Sequence, residues 1–427
     1  MDKVIEGKAF INNSFEHCCI GIKNGKIAEI KKILTCEEHL DFKNKLILPA
    51  GIDIHVHFRD PGLTHKEDFS TGSLAAAFGG ITCFFDMPNT IPQTISSANI
   101  AYKIATASKK SFIDFGVYAG LTNNNIKEIK SLSNKCNGFK IYLGSTTNAL
   151  LLEKEKLRFV MKNISETNKT VFFHAEDEQL IKKYRKTEEN IVDHLKSRPS
   201  ICEETAIKNI IDASNGLNLK AHICHLSSIE GLELLKNRPH NISCGVTPHH
   251  LLLSADSNMG SQTYYKVNPP IRSSFDKEAL FNAVKNGVID LIESDHAPHT
   301  RDEKDVKFEK APCGLPGVET MYPLFLHLAK KDVISFQRVV SLICRRPADL
   351  LNVSKGSIEI GRDADLIVVD FKDETRIKSD NLHSKCGWSP FEDWYALFPQ
   401  HVFVRGEKLI DEGEIQVKQG FGKFVGV

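Results

Sequence analysis

Eight short apolar runs, each followed by a longer charged stretch, recur through the middle of the chain. They are LPAGIDIHVH (48–57), ITCFFDMP (81–88), FIDFGVYAGL (112–121), GFKIYL (138–143), TVFFHAE (170–176), AHICHLS (221–227), ISCGVT (242–247) and DLIESDHA (290–297). The spacers are rich in Lys, Glu and Asn, and most are long enough for a crossover helix. Eight strands alternating with helices over about 300 residues is the rhythm of a (β/α)8 TIM barrel. An open doubly wound sheet is the alternative that the pattern alone leaves. The placement of polar residues at the ends of the runs favours the barrel.

Both chain ends have a different texture. FINNSFEHCCIGIKNGKIAEI places a KNGK turn between two alternating runs, the mark of a hairpin. GSIEIGRDADLIVVDF and HVFVRGEKLI repeat that texture near the other end. The expectation is a small composite β-sandwich domain built from 1–49 and 353–427, flanking a barrel over 50–352.

Composition narrows the class. Fifty-five Lys and Arg against 54 Asp and Glu leave a net charge of +1, which argues against nucleic acid or an anionic membrane as the main partner. No window approaches the run of about 18 apolar residues that a membrane span needs. The start, MDKVIEGKAFINN, lacks the apolar core of a secretory signal. Eleven Cys is an odd count, Cys18 and Cys19 are adjacent, and no CxxC pair occurs. A disulfide framework is therefore not expected, and a reducing cytoplasm fits.

The chemistry gathers at the strand ends. His55 and His57 lie two apart in an apolar strand, so alternation points both imidazoles the same way, together with Asp53. Alone, such a pair is also compatible with a structural role. Lys140, His174, His225 and Asp295 each sit at or near the end of a different run. Burying such groups is costly unless they pair or bind metal, and barrel strand ends are where catalytic residues collect. One metal would take His55, His57 and Asp295, and a second His174 and His225. Two cations roughly 3.5–4 Å apart need an anionic bridge. No Asp or Glu presents itself at the fourth strand, but Lys140 does. Carboxylated by carbon dioxide it could bridge; unmodified, it could pair with Asp295 in a metal-free pocket.

The run DIHVHFRDPGLTHKEDFSTGSLAAAFGGIT (53–82), followed by DMPNT (86–90), resembles the signature of the dihydroorotase family in the amidohydrolase superfamily. FKIYLGSTT (139–147), FHAEDE (173–178), HICHLSS (222–228), VTPHHL (246–251), KVNPPIR (266–272) and SDHAPHT (294–300) continue it in order, and GRDADLIVVD (361–370) is typical of the superfamily's second β part. The pattern is most similar to the class I branch. Many members there carry Asp at the bridging position, whereas Lys140 resembles the carboxylated-lysine members. The resemblance implies two Zn2+ per subunit held by His55, His57, carboxylated Lys140, His174, His225 and Asp295, with Asp295 also the catalytic acid/base. It implies substrate contacts from His57, Arg59, Asn89, Asn268, His299, Cys313 and Gly314. The implied reaction is reversible cyclisation of N-carbamoyl-L-aspartate to (S)-dihydroorotate plus water, the third step toward UMP. A homodimer and a contact with aspartate carbamoyltransferase are expected partners.

Arg59 follows His57 by two, so it leaves the strand on the same side and can fork onto a carboxylate. Its alternative is a solvated Arg paired with Asp60. Asn89 could complete the carboxylate clamp. The charged segment 299–317 suits either a lid or a static loop. GFGKFVG (420–426) has no following helix and is not a dinucleotide loop. His249 and His250 are adjacent, so at most one faces the barrel, and parity turns Cys224 away from His225. Rival readings are another cyclic amidase, such as allantoinase or dihydropyrimidinase, and an inactive scaffold for aspartate carbamoyltransferase. The Arg after HxH favours an anionic substrate, and an inactive scaffold would have lost metal ligands.

Overall fold

The computed structural model describes residues 1–146, 150–257 and 260–426; Thr147, the last residue of the FKIYLGSTT run, lies outside them. The chain opens with β1 (Lys3–Ile11), β2 (Ser14–Lys23), β3 (Lys26–Lys31) and β4 (His39–Pro49). Asn24 and Gly25 join β2 to β3 with φ of 53° and 76°, the left-handed pair that a two-residue Asn-Gly turn requires.

All eight apolar runs form strands: β5 (Gly51–Val56), β6 (Ile81–Asp86), β7 (Asp114–Gly120), β8 (Gly138–Tyr142), β9 (Thr170–His174), β10 (Ala221–Ile223), β11 (Ile242–Val246) and β12 (Leu291–Ile292). They pair in chain order into one parallel sheet. A bridge from Val56 to His296, with the His57 N–H donating to the His296 carbonyl at 2.8 Å, joins its two edges. The sheet is a barrel, and the open doubly wound alternative is excluded.

Burial on both faces explains why the runs are apolar throughout. Val171 and Phe173 of β9 pack outward with helix residues Ile207 and Leu235. Phe172 between them packs inward with Ile54, Phe85, Tyr118 and Leu291. Several of the helices outside begin on capping side chains. Asp68 and Thr71 form a capping box before Phe69–Phe78, and Ser273 and Asp276 another before Ser274–Lys285. Losing such a cap costs about 0.5–2 kcal/mol.

After the barrel come β13 (Leu366–Val369), β14 (Thr375–Arg376), β15 (Tyr395–Ala396), β16 (His401–Val404), β17 (Glu407–Asp411) and β18 (Glu414–Ile415). A second eight-stranded sheet runs β18-β17-β16-β13-β4-β1-β2-β3, so both chain ends share it. Ile5, Ile20, Ile47, Leu366 and Phe403 give it a core of its own. It is tied to the start of β7 by charge. Lys355 reaches Asp114 at 2.8 Å, Asp365 at 2.6 Å and Asp363 at 3.4 Å, and Arg405 also pairs with Asp114. The GFGKFVG segment straps across the same end of the barrel: the Phe115 N–H donates to the Lys423 carbonyl and the Val425 N–H to that of Phe115, both at 2.9 Å.

All eleven cysteines are free. Among the described residues no helix is long and apolar enough to cross a membrane.

Candidate active site

The ligand-type residues reach one point because the backbone departs from regular strand geometry in three places. The first is β5, where the register against β6 shifts between Asp53 and Val56. Ile52 and Ile54 pack inward, whereas Val56 and Phe58 pack outward, so His55 and His57 face the interior. Asp53 does not share their direction, contrary to the alternation argument. Its Oδ1 accepts from the backbone N–H of His55 at 3.1 Å and of Ser294 at 3.2 Å, tying β5 to β12, and burial pushes its carboxyl up to about 7.

The other two places are His225 and Asp295, just beyond the ends of β10 and β12. Their φ values are 39° and 45°, and that of Arg59 is 62°. A residue with a side chain is strained there by about 1–3 kcal/mol. The turn swings His225 inward although it directly follows Cys224. Cys224 therefore does not point away: its Sγ lies 3.3 Å from Lys140 Nζ, and it groups with His55 and Glu293. His249 and His250 lie on a short helix, Pro248–Leu252, not on a strand, and both are buried. His250 Nε2 is 3.1 Å from the Pro269 carbonyl, while His249 Nε2 is buried with no hydrogen-bond partner among the described residues.

His55 Nε2 and His57 Nε2 lie 3.3 and 3.2 Å from the same Asp295 Oδ1. His174 Nδ1 and His225 Nε2 face each other at 3.1 Å. In two of these rings the other nitrogen is hydrogen-bonded from outside, and in a third it faces a carboxylate without a hydrogen bond. His55 Nδ1 is 3.3 Å from Glu293 Oε2, His57 Nδ1 2.6 Å from Asn89 Oδ1, and His174 Nε2 2.9 Å from Glu176 Oε2. Such outer acceptors fix the tautomer and leave a lone pair pointing inward, which is the preparation of a metal ligand.

Electrostatics agree. Burial and the nearby Lys140 lower His55 to about 4, and burial lowers His174 and His225 as well, so the rings are neutral. Burial alone would raise Asp295, but His55, His57 and His225 outweigh it and hold the carboxyl well below the usual range. Neutral imidazoles around an ionised carboxylate form a donor set ready for a cation. The residues present fit a metal centre: the facing nitrogens of His174 and His225 meet each other at 3.1 Å, and among the described residues the buried His225 Nδ1 has no hydrogen-bond partner. Lys140 is fully buried, and among the described residues no carboxylate comes within ion-pair distance of it, Asp295 included.

A narrow cavity of about 30 Å³ stands above these groups. Of the expected substrate residues, His57, Arg59, Asn89, Asn268, Cys313 and Gly314 line it. His299 does not; it stands behind Arg59, with Nε2 3.3 Å from Arg59 Nη2 and 3.1 Å from the Cys313 carbonyl. Asp60 pairs with Lys110 at 2.7 Å and is not the partner of Arg59. The Gly314 N–H donates to the Lys266 carbonyl at 2.9 Å. A Cβ at Gly314, whose φ is 145°, would meet the Ala297 carbonyl at 2.4 Å, so only glycine fits. The 299–317 segment is anchored by buried Lys304, which donates to the carbonyls of Thr263, Lys266 and Pro312 at 3.1, 3.3 and 2.8 Å.

Sequence reasoning left four residues of the site without a role: Glu293, Glu176, Cys224 and Tyr142, the last of which lines the cavity. Two of them were accessible by parity. Glu176 is two residues after His174, and Glu293 two before Asp295. Arg198 forks onto Glu176 at 2.6–3.2 Å, completing a chain from Arg198 to His174.

Residues 46–409 match the model of the amidohydrolase family. The chain is 39% identical to a dihydroorotase of Thermoplasma acidophilum, over 100% of this chain and 98% of that one. It is 38% identical to a dihydroorotase of Methanosarcina acetivorans, over 98% of this chain and 94% of the relative. Among solved structures, the L-hydantoinase (dihydropyrimidinase) of Arthrobacter aurescens superposes with a TM-score of 0.95 at 27% identity, covering 100% of both chains.

Proposed function

The chain belongs to the amidohydrolase family, and we propose that on this scaffold it acts as a dihydroorotase, interconverting N-carbamoyl-L-aspartate and (S)-dihydroorotate plus water in pyrimidine synthesis. The observation that carries the choice of substrate is Arg59. It lines the cavity at 4% exposure, and among the described residues no carboxylate lies within ion-pair distance. It hydrogen-bonds the Pro298 carbonyl and His299, both at 3.3 Å. Burial lowers the guanidinium, so a charge held there calls for an anion from outside the chain. The ring carboxylate of dihydroorotate answers that need; dihydrouracil and simple hydantoins have none.

His55, His57 and Asp295 would hold one Zn2+ and His174 and His225 a second, with Lys140 as carbamate between them. Carboxylation would turn a buried cation into the shared anion that two dications need. Such a metal pair makes water acidic near neutral pH and polarises an amide carbonyl. The chain's own residues do the rest. Arg59 and the amide donors of Asn89 orient the substrate carboxylate, Asn89 Oδ1 being occupied by His57. Asp295, ionised and beside both inward His nitrogens, takes the proton of the attacking water and delivers it to the departing ring nitrogen. In the reverse direction the same carboxyl removes a proton from the carbamoyl nitrogen.

Arg59→Met tests the reading. Removing one member of a buried charged pair costs about 2–5 kcal/mol, roughly 30- to 4,000-fold in kcat/KM on dihydroorotate. Metal content should be unchanged, and dihydrouracil should be a poor substrate for both forms. Equal turnover of dihydroorotate and dihydrouracil by the unaltered enzyme would place it with the hydantoinases instead.

A further inference from the structure

The small sheet carries a second set of ligand-type side chains, far in sequence from the barrel's. Glu6 on β1 stands directly opposite Cys19 on β2, and β4 brings His39 opposite Val4, one diagonal step from Glu6. Residues of one parity share a face, so His17, opposite Lys8, joins them. The contacts follow this register. His39 Nε2 lies 2.8 Å from one Glu6 oxygen and His17 Nδ1 3.9 Å from the other. Ligand atoms of Glu6, Cys19 and His39 all lie within 4.8 Å of one another.

An ion pair between His39 and Glu6 accounts for one of these contacts only. It leaves a thiol at 2% exposure beside a carboxylate, its S–H donating weakly to the Lys32 carbonyl at 3.6 Å. Burial raises the Cys19 thiol; a backbone hydrogen bond at Leu34 opposes this, and Glu6 and Asp41 add to it. A divalent cation resolves the conflict, since it displaces the thiol proton and satisfies thiolate and carboxylate together.

We propose that Glu6, Cys19, His39 and His17 bind one divalent transition-metal ion, distinct from any in the barrel. One sulfur, two imidazoles and one carboxylate are the mixed donor set that tetrahedral zinc takes. Zinc–ligand bonds of about 2.0–2.3 Å put neighbouring ligand atoms about 3.3–3.8 Å apart. Side-chain rotation on a fixed sheet closes that difference. The ion would clamp β2 and β4 to the central β1, adding cross-links to a sheet that joins the two chain ends.

The test uses the full chain, stripped by chelator, reloaded with Co2+ and freed of excess metal. Three forms are compared: the unaltered protein, Cys19→Ser and His39→Gln. The unaltered protein should hold one more cobalt per chain than either variant and show thiolate-to-cobalt absorption that Cys19→Ser lacks. Both variants should keep the unaltered kcat, since neither residue touches the barrel cavity. His39 is exposed, so His39→Gln decides the matter even if Cys19→Ser misfolds. Equal cobalt content and identical spectra in the unaltered protein and His39→Gln would overturn the proposal.

Discussion

At the floor of the barrel Lys355, 2% exposed, sits among Asp114, Asp365 and Asp363, whereas at the mouth Lys140 and Arg59 are buried as deeply and meet no carboxylate among the described residues. Burial alone would lower Lys355, yet Asp365 and Asp114 outweigh it and raise it. At the mouth nothing comparable offsets burial for Arg59, which is lowered. The floor closes its charges within the chain and thereby fastens the small sheet to β7. The mouth leaves its charges and lone pairs open to something that is not protein. Buried polar groups satisfied internally hold a fold together; those left open mark where it acts.

If that contrast is sound, changes at the two ends should separate activity from stability. The largest effect expected is at the mouth. Asp295→Asn should lose turnover by a factor of about 10² to 10⁴, with a melting temperature close to that of the unaltered protein. Steady-state kinetics and calorimetry on one preparation check both halves, and a parallel collapse of stability would erase the contrast.

Lys355→Met at the floor should behave in the opposite sense. Breaking a buried ionic cluster by removing one partner costs about 3–5 kcal/mol, because Asp114, Asp363 and Asp365 remain together. Denaturant unfolding should show that loss while the folded fraction keeps its kcat.

A smaller effect is expected one layer beneath the mouth. Burial would raise Glu293, but His55 and His222 hold it well below the carboxylate range, and its Oε1 accepts the His225 N–H at 2.6 Å. Glu293→Gln removes an anion that orients two ligand-bearing strands. Metal affinity should fall about 10- to 100-fold, read by competition with a chelating dye.

The smallest is a pH effect beside the mouth. Burial opposes ionisation of Glu188, but His194 at 3.0 Å and Lys266 at 3.2 Å pull it from 4.5 to about 2. A depressed carboxyl stabilises the fold above its unfolded value and loses that contribution as pH falls toward its folded value. Relative to Glu188→Gln, the unaltered protein should be more stable at pH 6, by an amount on the order of 1 kcal/mol for a half-solvated pair. The difference should vanish near pH 2. A constant difference across that window would show that the pair is packing rather than charge.

The sequence by itself determined eight parallel strands, because strands buried on both faces must be apolar throughout and all eight runs are; only the Val56–His296 bridge closed them into a barrel rather than an open sheet. It also placed His, Lys and Asp at the ends of such runs, where burial has to be offset by pairing or by a cation. Side-chain direction was legible only where the chain stays regular. Alternation misplaced Asp53 at the β5 register shift, and it turned Cys224 the wrong way because His225 adopts a left-handed backbone. His249 and His250, read as strand residues, begin a helix. Glu176 and Glu293 could be placed by parity beside His174 and Asp295, whereas Glu6 looks like an ordinary acidic residue in the linear chain. What made them participants was the tertiary structure, which sets a carboxylate on one strand against imidazoles and a thiol on others. Parity is a local property of the backbone, and it fails at bulges and left-handed turns; convergence depends on pairing between distant strands, which local sequence does not encode.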